Sequence, residues 1–230
     1  MKKIGILGGM APESTLEFYR QLTSLAQENL PGRRYPTIII YSLNMEEFRK
    51  PLSSGDYPEA ISLLSDGIRS LSRAGADFAI IASNTPHMFF DELTNNSPIP
   101  LLSIVDETAK EGERRGFTKV GLYGTKFTME GGFYRKEFEK YGISVVIPGD
   151  EDRNYIHDKT MGELADGKIV ESTQKKLVEI NRKMVQEKGI QALILGSTEL
   201  PLILNERLLG IPTLDITRIG VQAAFGYSQG

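Results

Sequence analysis

Along this chain, short runs of β-branched and aliphatic residues alternate with longer segments in which apolar positions recur every three or four residues. Continuous apolar runs suit strands buried on both faces of a parallel sheet, and the longer period suits helices packed over them. Ile4-Gly-Ile-Leu7 predicts a first strand and Gly8-Gly9 a tight turn. A helix follows from Pro12, because proline fits a first helical turn where its missing N–H is not needed. In that helix Leu16, Tyr19, Leu22 and Leu25 recur at helical spacing. Further strands are expected near residues 37–43, 78–82, 101–105, 119–123, 144–147, 192–195 and 213–216. A helix is expected over 58–73, with Ile61, Leu64, Ile68 and Leu71 on one face. Strands alternating with helices in this way predict an α/β fold.

The pattern also repeats. Ile4-Gly-Ile-Leu-Gly8 answers to Val120-Gly-Leu-Tyr-Gly124, Ile80-Ile-Ala-Ser-Asn-Thr85 to Ile194-Leu-Gly-Ser-Thr-Glu199, and Ile99-Pro-Leu-Leu102 to Ile211-Pro-Thr-Leu214. The three matches keep their order and lie about half a chain apart, which favours duplication over chance likeness between strands. The expectation is two pseudo-symmetric, doubly wound parallel-sheet lobes, the first from residues 1–103 plus 208–230 and the second from 104–207. Parallel sheets bind ligands beyond the C-terminal ends of their strands, so the expected site is a cleft between the lobes.

Composition narrows the function class. The chain has 230 residues, a formal charge of −3 and an ordinary globular balance of apolar and charged residues. Without a basic patch, nucleic acid is not an expected partner. No apolar run approaches the ~20 residues of a membrane span, and the glycine-broken N-terminus is unlike a secretory leader, so a cytoplasmic protein is expected. Cysteine is absent, which removes disulfides, thiolate metal sites and cysteine nucleophiles.

The candidate chemistry sits where the repeat places strand ends. Gly8-Gly9-Met10-Ala11-Pro12-Glu13-Ser14-Thr15 joins a glycine turn to a helix start, a corner suited to a carboxylate or phosphate, although it serves equally as a plain connection. It does not match the dinucleotide fingerprint. Ser83-Asn84-Thr85-Pro86-His87 and Gly196-Ser197-Thr198-Glu199-Leu200-Pro201 each put hydroxyl and amide groups after a buried strand. Alone, either would read as helix capping. As a symmetric pair they suggest one ligand handled from two sides. His87 could relay a proton or be held by backbone; Arg49 could grip a carboxylate bidentately or be a solvated surface residue. Thr125, in Gly124-Thr125-Lys126, is the second lobe's counterpart of the glycine turn. His157 lies in a charged, expectedly exposed stretch and receives no role.

At these residues the chain resembles the aspartate/glutamate racemases, within the larger group of cofactor-independent Asp/Glu/hydantoin racemases. The resemblance spans nearly the whole chain: Gly-Gly-Met-x-Pro-x-Ser-Thr early, Asn-Thr-x-His in the middle and Gly-x-Thr-Glu-Leu-Pro late. It implies an isomerase in two α/β lobes, usually a homodimer, that holds an acidic amino acid and needs neither pyridoxal phosphate nor metal. It also implies two acid/base positions, one taking the α-proton and the other returning a proton to the opposite face. Carried over by position, these are Ser83 and Ser197, with His87 and Glu199 in support. Gly9, Met10, Asn84, Thr85, Thr125 and Thr198 then surround the α-amino and α-carboxylate groups, and Arg49 takes the side-chain carboxylate. A lysine that some aspartate racemases carry in the later helix region has no counterpart in Glu163-Leu-Ala-Asp-Gly167, which leaves the choice between aspartate and glutamate open.

The family has cysteines where this chain has Ser83 and Ser197. A thiol ionises near pH 8.5 and lower in a positive environment, whereas a hydroxyl is a far weaker acid. Three readings stay open. One or both thiols were replaced to hold substrate without turnover; or the natural enzyme pairs one thiol with one hydroxyl and favours one enantiomer; or the chain is a relative that binds an acidic amino acid or dicarboxylate, or isomerises or decarboxylates it, without racemisation.

Overall fold

The computed structural model describes residues 1–32 and 34–230. The chain opens with β1 (Ile4–Gly8), α1 (Pro12–Asn29), β2 (Ile38–Ser42), α2 (Met45–Ser54), α3 (Tyr57–Arg73) and β3 (Phe78–Ile81). A 3-10 turn (Thr85–Phe89) leads through α4 (Phe90–Asn95) to β4 (Leu101–Leu102). The second half runs α5 (Ile104–Arg114), β5 (Lys119–Tyr123), α6 (Lys126–Glu130), α7 (Phe133–Glu139), β6 (Ser144–Val146) and α8 (Asp150–Lys159). A π turn (Thr160–Leu164), α9 (Glu171–Lys188), β7 (Ala192–Leu195), α10 (Leu200–Ile203), α11 (Glu206–Leu209), β8 (Thr213–Asp215) and α12 (Ile216–Gln229) complete it.

These elements form two compact units, Met1–Ile104 with Thr217–Gly230, and Val105–Ile216. Each holds a four-stranded parallel sheet, in the order β2-β1-β3-β4 and β6-β5-β7-β8. The two orders are the same when strands are counted within each unit, which is the architecture the repeat predicts. Register follows the burial pattern. In the first sheet Ile4 lies beside Ile38 and Phe78, and in the second Tyr123 lies beside Leu195. All five residues of β1 and all four of β3 and β7 are buried, as central strands covered on both faces require.

In the first unit Leu64, Ile68 and Leu71 of α3 pack with Leu7, Ala79 and Ile81 of the sheet. Gly67 lies on the same helix because any side chain there would run into Leu7 and the ring of Tyr41. In the second unit Val120, Leu122, Leu177, Ile180, Met184 and Leu193 are buried, and the Tyr123 hydroxyl donates to the Leu177 carbonyl at 3.1 Å. Burial holds the Tyr123 phenol well above its ordinary range.

Four expectations are corrected. The inward stripe of α1 is Ser14, Thr15, Phe18, Leu22 and Ala26, whereas Leu16 is 68% exposed and Tyr19 44%. The helix is rotated because Thr15 must reach the glycine turn that precedes it. Residues 104 and 105 are helical, since α5 begins at Ile104 directly after a two-residue strand, and Ile216 likewise opens α12. Residues 208–216 belong to the second unit and not the first, because β8 takes its ladder from β7, Ile194 lying beside Leu214. His157 is half-buried and hydrogen-bonded, not an idle surface residue.

Candidate active site

The strands of each sheet run parallel, so the loops that follow them gather along one edge of that sheet. In the first unit this edge carries Gly8-Gly9 after β1, Asn44 after β2 and Ser83 after β3. Gly9 adopts φ +86°, and a side chain there would meet the backbone of Leu43. Only glycine makes this turn comfortably. The Leu43 N–H donates to the Gly8 carbonyl at 3.0 Å, tying the end of β2 to the turn. The Gly9 N–H donates to the Thr15 hydroxyl at 2.9 Å, and Thr15 is buried. That donor is therefore engaged within the fold, and an anion at this corner would have to draw on N–H groups from Met10 onward.

After β3, the Ala82 N–H donates to the Leu7 carbonyl at 2.9 Å and fixes where Ser83 emerges. Asn84 and Thr85 enter the 3-10 turn, whose histidine faces inward. The His87 Nδ1–H donates to the Ser83 carbonyl at 2.9 Å and reaches the Asn84 carbonyl at 3.2 Å, while Nε2 accepts from the Ile104 N–H at 3.3 Å. Its ring stacks on Phe90, with centroids 5.4 Å apart and planes 2° from parallel. Burial drives the His87 pKa from 6.5 to about 4, against the two carbonyl hydrogen bonds that favour the charged ring. Both nitrogens thus serve the backbone of the strand-end loop, and the imidazole holds Ser83 by its carbonyl, not its hydroxyl.

Arg49 lies on α2, where Asn44 caps the helix by accepting from the Glu46 N–H at 3.0 Å. The guanidinium grips Glu46 with both of its contacting nitrogens, at 3.0 and 2.9 Å, and lies 58% exposed. A substrate carboxylate would have to displace Glu46, an exchange made easy by the small net worth of an exposed pair.

In the second unit Thr125 follows β5 and caps α6, its hydroxyl accepting from the Thr128 N–H at 3.4 Å. Beside it the Lys126 N–H donates to His157 Nδ1 at 3.3 Å. That partner lies on α8, 31 residues away, and no local pattern could have disclosed it. After β7, the Gly196 N–H donates to the Tyr123 carbonyl at 2.8 Å. The buried Ser197 hydroxyl donates to the Glu199 carboxylate, and the Glu199 N–H in turn approaches Ser197 Oγ at 3.5 Å. Thr198 lies between them, partly buried. Nearby, Glu163 in the π turn accepts from Lys159 and Thr173. The stretch lacking the extra lysine is thus organised around a carboxylate.

The structure therefore groups Gly9, Met10, Arg49, Ser83, Asn84, Thr85 and His87 in one unit and Thr125, Ser197, Thr198 and Glu199 in the other. Among the described residues, no cluster of three or more His, Asp or Glu side chains is arranged to hold a metal, and no helix is long and apolar enough to cross a membrane.

The model of the Asp/Glu/hydantoin racemase family matches residues 7–224. The chain belongs to that family. A candidate Asp/Glu racemase from Yersinia pestis is 36% identical and superposes with a TM-score of 0.94 over the whole of both chains. An aspartate racemase homologue from Pyrococcus horikoshii is 35% identical, with a TM-score of 0.90 and the same full coverage. The broad-specificity amino-acid racemase RacX of Bacillus subtilis is 31% identical over 147 residues, 62% of this chain and 63% of that protein. The family's two-lobed α/β architecture is the one described above, with Ser83 and Ser197 each following the third strand of its own sheet.

Proposed function

We propose that this racemase-family chain acts at the α-carbon of aspartate or glutamate without a cofactor, with Ser83 and Ser197 in the two acid/base positions. The observation that carries the reading is equivalence. β3 and β7 each pair with the chain-first strand of their own sheet, and each is followed two residues on by a serine in a polar loop that leads into a short helical segment. The Met10 backbone, Asn84, Thr85, Thr125 and Thr198 supply donors for the α-carboxylate and acceptors for the ammonium. Arg49 takes the side-chain carboxylate once it leaves Glu46. Donors aimed at the carboxylate stabilise the charge that develops when the α-proton departs. We extend the same reading to a homodimer in the cytoplasm, the dimer being tested by light scattering.

The test is α-proton exchange of both enantiomers of aspartate and glutamate in deuterated water, with chiral analysis, for the parent, Ser197→Cys and the double Ser83→Cys, Ser197→Cys variant. The reading expects racemisation to rise steeply when thiols are present, because a thiol reaches its conjugate base near neutral pH and an isolated hydroxyl does not. Tight binding with no exchange in any variant would sink it and favour a protein that binds the acidic ligand without turnover. The full engagement of the His87 imidazole by backbone is the observation on that side.

A further inference from the structure

Ser197 and Ser83 end equivalent strands but differ in what accompanies their hydroxyls. The Ser197 hydroxyl, buried to 6% exposure, donates to a carboxylate two residues on. Among the described residues, no carboxylate or imidazole is hydrogen-bonded to the Ser83 hydroxyl, and the nearby His87 reaches only the backbone of that loop. A hydroxyl that donates to a carboxylate can accept a proton on its oxygen while passing its own along, whereas one without such a partner would have to become an alkoxide.

We propose, on the reading above that the substrate is an acidic amino acid, that Glu199 is the proton acceptor for the reaction and works through Ser197. The chain would then exchange the α-proton of one enantiomer with retention faster than it inverts it. In the step, the Cα–H bond breaks and its proton goes to Ser197 Oγ as the Ser197 O–H proton passes to the Glu199 carboxylate. The electron pair stays on the α-carbon and spreads into the α-carboxylate. The Glu199 carboxyl trades its proton with solvent, and the reverse transfer through Ser197 returns a deuteron to the same face. Nothing is oxidised or reduced, and no co-reactant is consumed.

Three features of the loop suit this role. The Gly196 N–H to Tyr123 carbonyl bond fixes the loop at its root, and the Leu200 N–H donates to the Ser197 carbonyl at 3.3 Å at its other end. The Glu199 N–H faces Ser197 Oγ, where it would steady the oxygen as its proton leaves. Ser197 and Glu199 share one short segment, so the pair does not depend on any distant element.

The experiment compares the parent with Glu199→Gln, Glu199→Asp, Ser197→Cys and the Ser197→Cys, Glu199→Gln double variant. Each is incubated with the L- or D-form of glutamate or aspartate in deuterated water, and deuterium is measured separately in recovered and inverted substrate. For the parent, deuterium is expected in the recovered form of one enantiomer ahead of any inversion. Glu199→Gln should lower the rate of this exchange at least ~100-fold, within the range for a positioned acid/base group. Glu199→Asp should restore part of it. In the Ser197→Cys background the thiolate supplies its own base, so adding Glu199→Gln should change the rate little, an outcome that damage to the loop would not give. An exchange rate in Glu199→Gln within ~3-fold of the parent would overturn the proposal, as would deuterium appearing only in inverted product. Calorimetric titration with both enantiomers of glutamate and of aspartate separates the failures. Binding without exchange in the parent sinks the relay alone, whereas no binding of any of the four sinks the substrate reading and the relay with it.

Discussion

Replacing His87 by glutamine removes a proton-binding group while leaving an amide able to donate to the Ser83 carbonyl and accept from the Ile104 N–H. The native ring is buried, and its pKa falls from 6.5 to about 4, chiefly because burial disfavours the cation. Protonation would also place a second N–H on Nε2, directly against the Ile104 N–H that this nitrogen now accepts from. The sign follows from which state holds the proton. Between pH 6.5 and about 4 the unfolded chain carries it on His87 and the folded chain does not. Stability from this group is therefore complete above pH 6.5 and is lost as pH falls, by about 3 kcal/mol in total, at 1.36 kcal/mol per pH unit of displacement. The assay is urea unfolding of parent and His87→Gln at steps from pH 7.5 to 4. Near pH 7.5 the variant should be less stable by about 1–3 kcal/mol, from the lost stacking on Phe90 and less favourable hydrogen bonds. On acidification the gap should close by about 3 kcal/mol, because only the parent pays for His87 while every other titrating group is common to both. Two stability curves that stay parallel over this range would refute the assignment of a neutral, backbone-bound imidazole.

Other consequences can be read from single contacts. In Gly196→Ala the new Cβ would sit 2.6 Å from the Tyr123 carbonyl, a backbone atom that cannot step aside, so we expect a loss of about 1–3 kcal/mol in urea unfolding and weakened ligand binding at the adjacent Ser197 loop. Thr15→Val keeps the shape of a buried side chain but leaves the Gly9 N–H without its acceptor, and should cost about 1–3 kcal/mol by the same measurement. The Tyr141 phenol, which donates to Asp106 at 2.5 Å, is pushed up to about 12 by burial and then by that carboxylate. Asp106→Asn should bring one tyrosine's ionisation back toward 10 in a near-ultraviolet pH titration, and an unchanged titration would show that burial alone sets it.

The parts of the fold legible in the sequence are those in which one short-range signal is enough. Ala192–Leu195 is apolar at every position and ends at a glycine, and both facts survive whatever packs around it. The same is true of β1 and of the helix that begins at Pro12. What could not be read is set by partners far along the chain. The inward face of α1 is decided by the bond from Gly9 to Thr15, which favours a stripe of two hydroxyl residues over the more apolar Leu16 and Tyr19. Residues 208–216 are a different case: by repeat 211–214 answer to 99–102, the last strand of the first lobe, and the ladder from Leu193 to Thr213 accordingly makes them the last strand of the second sheet. His157 lay in a run of charges, and only the approach of α6 gives its Nδ1 an N–H to accept.

The site divides along the same line, and the division bears on the chemistry. Position was legible, because duplication marks Ser83 and Ser197 as the ends of corresponding strands. Proton-handling capacity was not, because it belongs to what each hydroxyl is bonded to. A thiol ionises within reach of neutral pH without a neighbouring base, so cysteine at either place would supply an acid/base group that its surroundings tune but do not create. A hydroxyl must borrow basicity from a neighbour, and the neighbours differ: a carboxylate for Ser197, and for Ser83 a histidine already committed to three backbone groups. On the proposed reading, serine at both places leaves the two corresponding strand ends unequal in acid/base support. The deuterium experiment reads that asymmetry directly, since two equivalent acid/base groups place the label in the inverted product and a single supported one leaves it in the substrate.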